Sequence, residues 1–259
     1  MTSPLTANQL LPIAYCLGSA PLGLTSHSRD CRMLKVLATH AVQAALRELL
    51  ARFEAPQNAP LAVDYDPTNA LLARIKAGER ADVAIATRAG IDELAGLGIL
   101  DGATAVDLGR SRVGLAVKAG APRPDIATAD ALKAALLATK SIAYSGLGAS
   151  GVFFAGLIRQ LGIAAAVDAK ATVIPSGLTA RLVARGEAEM AVQQLSELMA
   201  VPGVDIVGPL PASLQTPTTF AAAAFAGSTN AGLARELLAS LSSAEAAAAY
   251  KAAGLEPLR

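Results

Sequence analysis

Short apolar runs bounded by turn residues alternate along this chain with stretches whose apolar positions recur at helical spacing. Residues 34–38 read as a buried strand that stops at Thr39-His40. Residues 41–53 follow as a helix with Val42, Ala45, Leu49 and Phe53 at its apolar positions. A second strand, 61–65, ends in Asp66-Pro67-Thr68-Asn69, and the proline and short polar residues predict a helix start just before 70–76. Residues 81–87 make a third strand, and a helix from about Gly90 to Leu97 comes after it. Strand and helix alternating through short loops predict parallel βαβ units.

Between 105 and 118 the rhythm changes. Residues 106–110 and 112–117 form two extended runs with no helix between them, which predicts a crossing from one lobe to another. A second series then begins: helix 129–138, strand 141–144, helix 152–161, strand 171–174, turn 175–177, helix 178–186 and strand 189–192. Residues 205–208 and 219–225 predict further strands, and 229–239 and 243–253 closing helices. The expected fold is α/β, with two doubly wound lobes joined by a two-strand hinge. Residues 33–110 and 219–259 would make the first lobe and 111–218 the second.

Composition narrows the classes of function. At 53% hydrophobic and 17% charged residues the chain is a folding sequence with an ample core. Its net charge of +1, with no basic run and 3% aromatics, excludes a nucleic-acid surface. No apolar run approaches the roughly 18 residues of a membrane span. Cys16 and Cys31 both precede the first strand, so neither a disulfide framework nor a thiolate metal site is expected. Residues 1–32 lack the positive start and unbroken apolar stretch of a secretory signal. They are expected to be a disordered extension, or a mis-assigned start with Met33 as the true one, and the chain as written reads as cytoplasmic.

Chemistry concentrates where strands stop and helices begin. In Ile142-Ala-Tyr-Ser-Gly-Leu-Gly-Ala-Ser-Gly151 a strand ends in a Gly/Ser turn that opens a helix. Such a turn leaves helix-start N–H groups unpaired and favours an anion. The same arrangement recurs at Thr39-His40, at Thr68-Asn69 and at Pro175-Ser176, and their convergence at the carboxyl edges of strands predicts a crevice. Gly146-Leu-Gly-Ala-Ser-Gly151 also spells a dinucleotide fingerprint. The following strand, however, ends in Pro175-Ser176 and not in the acid that would hold a ribose. No nucleotide, other cofactor or metal is expected.

Four places together resemble the type II periplasmic solute-binding fold and, within it, the molybdate-binding protein family. They are the strand ending Ala38-Thr39, Pro67-Thr68-Asn69 with its downstream Gly-Glu-Arg-Ala-Asp-Val-Ala-Ile, Val183-Ala-Arg-Gly-Glu-Ala-Glu-Met-Ala-Val192, and Thr218-Thr-Phe-Ala-Ala-Ala-Ala-Phe225. The resemblance implies a small oxyanion held between two lobes by Thr39, Thr68, Ser145, Ser176 and the position of Gln194. As a transport receptor such a protein would be periplasmic and would partner an ABC permease. The chain departs from the pattern at Gln193-Gln194-Leu-Ser-Glu197, where those binders place a tyrosine, and at His40, where they carry serine. Two amides and an imidazole spread donors and acceptors wider than a compact oxyanion needs, which favours a carboxylate with further polar groups.

The candidate ligand-binding residues are Thr39, His40, Thr68, Asn69, Ser145, Ser150, Ser176, Gln193 and Gln194. The threonines and Asn69 are equally good helix caps. On a strand Gln193 and Gln194 point opposite ways, so one of them is expected to face the cleft. Arg110 and Arg112 could grip a carboxylate, but a hinge salt bridge ranks first, and Tyr144 is read as core. The principal expectation is a binder of a small anion. The alternative is an isomerase, because aconitate isomerase is a relative of the molybdate binders. Moving a double bond needs a base beside a carboxylate, and His40 or Glu197 would supply it.

Overall fold

The structure, a computed structural model, describes residues 33–57 and 60–258. The expectations for residues 1–32, with Cys16 and Cys31, lie outside the described residues.

Two mixed sheets carry the chain. Strands β1 (Leu34–Thr39), β2 (Leu61–Asp66) and β3 (Val83–Thr87) run parallel, with β1 in the middle. A helix follows each: α1 (Gln43–Gln57) after a 3₁₀ turn at His40–Val42, α2 (Thr68–Lys76) and α3 (Arg88–Gly96). Strand β4 (Val106–Ser111) leaves this sheet, and after Arg112 alone the chain enters β5 (Val113–Lys118) of the second. That sheet adds β6 (Ile142–Ser145), β7 (Ala171–Ile174), β8 (Met190–Gln194) and β9 (Val204–Pro209) in the order β7-β6-β8-β5-β9. Its helices are α4 (Ala129–Ala138), α5 (Ala149–Gln160), α6 (Ala164–Asp168), α7 (Ala180–Ala184) and α8 (Leu195–Met199). Strand β10 (Thr218–Ala224) returns antiparallel between β3 and β4, before α9 (Ala231–Leu241), α10 (Ala246–Ala252) and the edge strand β11 (Glu256–Pro257).

Each sheet is apolar on both faces, because the pleat sends alternate residues to opposite sides and helices cover both. Val36 and Ala38 pack with α1, α9 and α10, whereas Leu37 between them packs with Leu71, Ile75, Ile91 and Leu94 of α2 and α3. The second sheet repeats this. Ile142 and Tyr144 face Phe154 and Leu157 of α5, while Ala143 faces Val183 and Leu198.

The two crossings are tied together. The Gln215 side chain accepts from Val113 N–H at 2.9 Å and donates to the carbonyls of Val113 at 3.0 Å and Leu210 at 2.7 Å. Arg112 pairs with Glu256 at 3.3 Å, so of the two arginines at the crossing it is this one that takes the salt-bridge role. Tyr144 is core, stacked edge-on against Phe154, with its hydroxyl on Asp168 at 3.2 Å.

Several boundaries differ from the sequence reading. Helix α2 begins at Thr68 and α5 at Ala149, earlier than the apolar periodicity indicates, since a helix's first turn carries capping residues and no apolar stripe. Gln193 and Gln194 belong to β8 itself, and α6 and β11 were not expected. Elements of five residues or fewer are too short to display a period.

Candidate functional site

Four chain starts meet between the sheets. β1 delivers Thr39 and His40, and the β2–α2 turn delivers Pro67 and Thr68. The β6–α5 turn brings Ser145, Gly148, Ala149 and Ser150, and the end of β8 brings Gln193, Gln194 and Glu197. These residues line one small cavity, and Phe220 lines it with them. Thr39 and Thr68 are both 3% exposed, and their Oγ1 atoms are 2.9 Å apart, one hydroxyl donating to the other. Ser145 Oγ accepts from Gly148 N–H at 2.9 Å, which folds the Gly/Ser turn back over the strand end. The N–H groups of Ala149 and Ser150 open α5 and have no acceptor within their own helix.

Gly151 is the residue that allows this turn. A Cβ built there would lie 1.5 Å from the Ser145 carbonyl oxygen. The glycines of 146–151 therefore serve close approach of helix to strand, one of the roles they play in a dinucleotide turn, without the nucleotide's acid.

The glutamines divide the work. Gln193 is fully engaged inside the second lobe: its Oε1 accepts from Thr179 N–H at 2.8 Å and Thr179 Oγ1 at 3.0 Å, and its Nε2 donates to Gly177 C=O and Glu197 Oε1, both at 3.0 Å. Gln194 donates through Nε2 to Thr218 Oγ1 at 3.2 Å, while its Oε1, in a side chain only 1% exposed, has no partner among the described residues. Glu197 caps α8 by accepting Gln194 N–H at 3.2 Å. No cation pairs with it among the described residues, and burial, outweighing the two accepted hydrogen bonds, pushes its carboxyl up to about 8. It sits in the cavity wall as a carboxyl that keeps its proton at neutral pH.

Two contacts bridge the gap at its rim. His40 Nε2 lies 3.4 Å from Ser176 Oγ, and Asn69 N–H reaches Leu147 C=O at 3.3 Å. Both Ser176 and Asn69 are exposed and outside the cavity lining. His40 also stacks on Tyr65 with ring centroids 6.3 Å apart. Of the residues singled out from sequence, the cavity thus collects Thr39, His40, Thr68, Ser145, Ser150, Gln193, Gln194 and Glu197. It adds Phe220 and Thr218, the latter through Gln194; both lie in a stretch read only as a returning strand.

Residues 34–256 match the family described as bacterial extracellular solute-binding protein. The chain belongs to that family. The binding-protein chain is also 36% identical over 251 residues to an aconitate isomerase from Pseudomonas sp., a match spanning 95% of this chain and 94% of that protein. Among solved structures it superposes on the periplasmic molybdate-binding protein of Azotobacter vinelandii with a TM-score of 0.73 at 17% identity, covering 87% of this chain and 100% of the other. The sulfate-binding protein of Mycobacterium tuberculosis H37Rv gives 0.69 at 18% identity, over 88% and 87% of the two chains. These likenesses agree with the two-lobed α/β fold read from the sequence. Among the described residues no helix is long and apolar enough to cross a membrane, and no group of three His, Cys, Asp or Glu side chains could hold a metal ion.

Proposed function

We propose that this binding protein holds a small anion, a carboxylate before a bare oxyanion, in the cleft between its two sheets. The observation that carries this is the cavity where the Thr39–Thr68 hydroxyl pair faces the start of α5 with Ser145 and Ser150. An anion entering there exchanges a hydroxyl–hydroxyl bond for two charge-assisted ones and takes the helix-start N–H groups as further donors. The structural relatives named for molybdate and sulfate support anion binding in general. What favours a carboxylate with further polar groups is the spread of polar groups: a half-turn of the buried Gln194 amide, with Thr218 Oγ1 then donating to Oε1, adds Nε2 to the hydroxyl and N–H donors, a wider array than a compact oxyanion needs. As a receptor the protein would be periplasmic and would hand its ligand to an ABC permease. The family supports this location over the cytoplasmic one.

One observation favours a second reading, an isomerase that moves a double bond in an unsaturated polycarboxylate. Glu197 lines the same cavity with its proton held at about 8, near the optimum for a group that must both take and return a proton at neutral pH. The aconitate isomerase relative supports the same reading. A thermal-shift screen against molybdate, sulfate, phosphate and di- and tricarboxylates tests binding, with carboxylates expected to raise Tm most. The stabilising ligand is then followed by NMR in deuterium oxide. Deuterium entering its carbon skeleton identifies the isomerase; tight binding without exchange identifies the receptor. No stabilisation by any anion refutes both.

A further inference from the structure

A second cavity opens beside the first and shares His40 with it. One wall is a single face of α1 and its leading turn, made by His40, Gln43 and Arg47. The facing wall, from the other lobe, carries Leu178 and Arg181. It is the roomier of the two. Arg47 lies seven residues beyond His40, roughly 10 Å along the axis. Side chains on a helix lean toward its N-terminus, the side of His40, and the Arg47 charge acts on Tyr65, the ring on which His40 stacks.

Arg47 and Arg181 both line this cavity with no acidic partner of their own. Arg52, Arg74, Arg88, Arg112, Arg123 and Arg185 each pair with an acidic side chain; Arg47 and Arg181, like Arg80, Arg110, Arg159 and Arg235, enter no ion pair among the described residues, but these two share one cavity. No acidic residue lines their cavity. Two guanidinium groups, one from each lobe, therefore face a common gap with nothing to neutralise them. Like charges across a cleft disfavour its closure, and an anion between them reverses that sign.

We propose that Arg47 and Arg181 form a second anionic subsite, which takes the distal carboxylate of a di- or tricarboxylate whose first carboxylate lies in the Thr39–Thr68–Ser145 cavity. This rests on the reading of the inner cavity as an anion site and deepens it to a substrate class. His40 stands between the subsites, where its ring meets the carbon chain joining the two carboxylates. The planar guanidinium fork matches a carboxylate in two parallel hydrogen bonds, so these arginines select for a ligand long enough to reach them. A bare tetrahedral oxyanion fills the inner cavity and leaves the outer one untouched.

Isothermal titration of the full chain with propionate, glutarate and propane-1,2,3-tricarboxylate tests this, with sulfate alongside. The expected result is at least tenfold tighter binding of the two longer acids than of propionate. Arg47→Gln and Arg181→Gln should each remove about tenfold from the longer acids and leave propionate unchanged, while Arg47→Lys restores part of the loss. Thr68→Val should weaken all three. If the arginine variants, folded by circular dichroism, bind the longer acids as the wild type does while Thr68→Val weakens them, the subsite is overturned and the inner site stands. Wild-type binding of sulfate but of no carboxylate overturns the subsite and the carboxylate preference, and leaves the inner cavity as a site for a bare oxyanion. Binding of none of the four overturns the inner site and the subsite with it.

Discussion

Replacing Glu197 by glutamine should make the protein more stable at alkaline pH and slightly less stable at acid pH. In the folded chain this carboxyl is buried against Gln193 and the N–H of Gln194, and burial raises its pKa from an ordinary 4.5 to about 8. Between those values the folded state keeps a proton that the unfolded chain has released. Stability contributed by the neutral carboxyl is therefore complete below pH 4.5 and is lost as pH climbs towards 8. At about 1.4 kcal/mol per pH unit, the loss reaches about 3 kcal/mol at pH 7 and about 5 kcal/mol above pH 8. Glutamine removes this dependence but can accept only one of the two hydrogen bonds, at a cost of about 1 kcal/mol. The variant should thus be more stable than wild type by about 4 kcal/mol at pH 9 and about 2 kcal/mol at pH 7, and less stable by about 1 kcal/mol near pH 4.5. Urea unfolding followed by circular dichroism at these three values gives the differences directly. A stability difference that stays constant from pH 4.5 to 9 refutes the assignment of a buried, uncompensated carboxyl.

Other perturbations address the turn and the hydroxyl pair. Gly151→Ala places a methyl group where the Ser145 carbonyl already sits, so strand and helix must separate. A loss of about 3 kcal/mol, or roughly 9 °C in Tm by scanning calorimetry, is expected, with ligand binding lost as Ser145 and Ser150 move apart. An unchanged Tm would contradict the packing described. Thr39→Val leaves Thr68 without its buried partner and should cost about 1 kcal/mol of stability. The loss of carboxylate affinity should be larger, at least tenfold by titration calorimetry. Equal affinity in the variant would remove the hydroxyl pair from the binding surface.

The parts of the fold legible in the sequence were those with a period long enough to see. The parallel strands around Val36 and Ile85 are continuous apolar runs because helices cover both faces, and the double extended run around Arg112 marks a crossing because no helix separates its halves. Helix α8 displays no stripe for the opposite reason: it is five residues long, and Glu197 among them is spent on capping. In the candidate site, helix-start chemistry picked out Thr39, Thr68, Ser145 and Ser150, which line the cavity, since capping residues and candidate anion ligands are the same residue types at the same position. Gln193 and Gln194 were harder to separate. Alternation along a strand indicates that they differ, but not that Gln193 is consumed by Thr179 and Glu197 while Gln194 keeps a free oxygen. Arg47 carried no signal at all. It is one charged residue on the exposed face of an amphipathic helix, and only the fold sets it opposite Arg181.

A crystal structure with propane-1,2,3-tricarboxylate tests the central claim most directly. One carboxylate is expected within about 3 Å of the Thr39 and Thr68 hydroxyls and the N–H groups opening α5, with a second against Arg47 and Arg181. Density for the ligand elsewhere on the chain, with the Thr39–Thr68 hydroxyl bond intact and the cleft empty, would contradict the account.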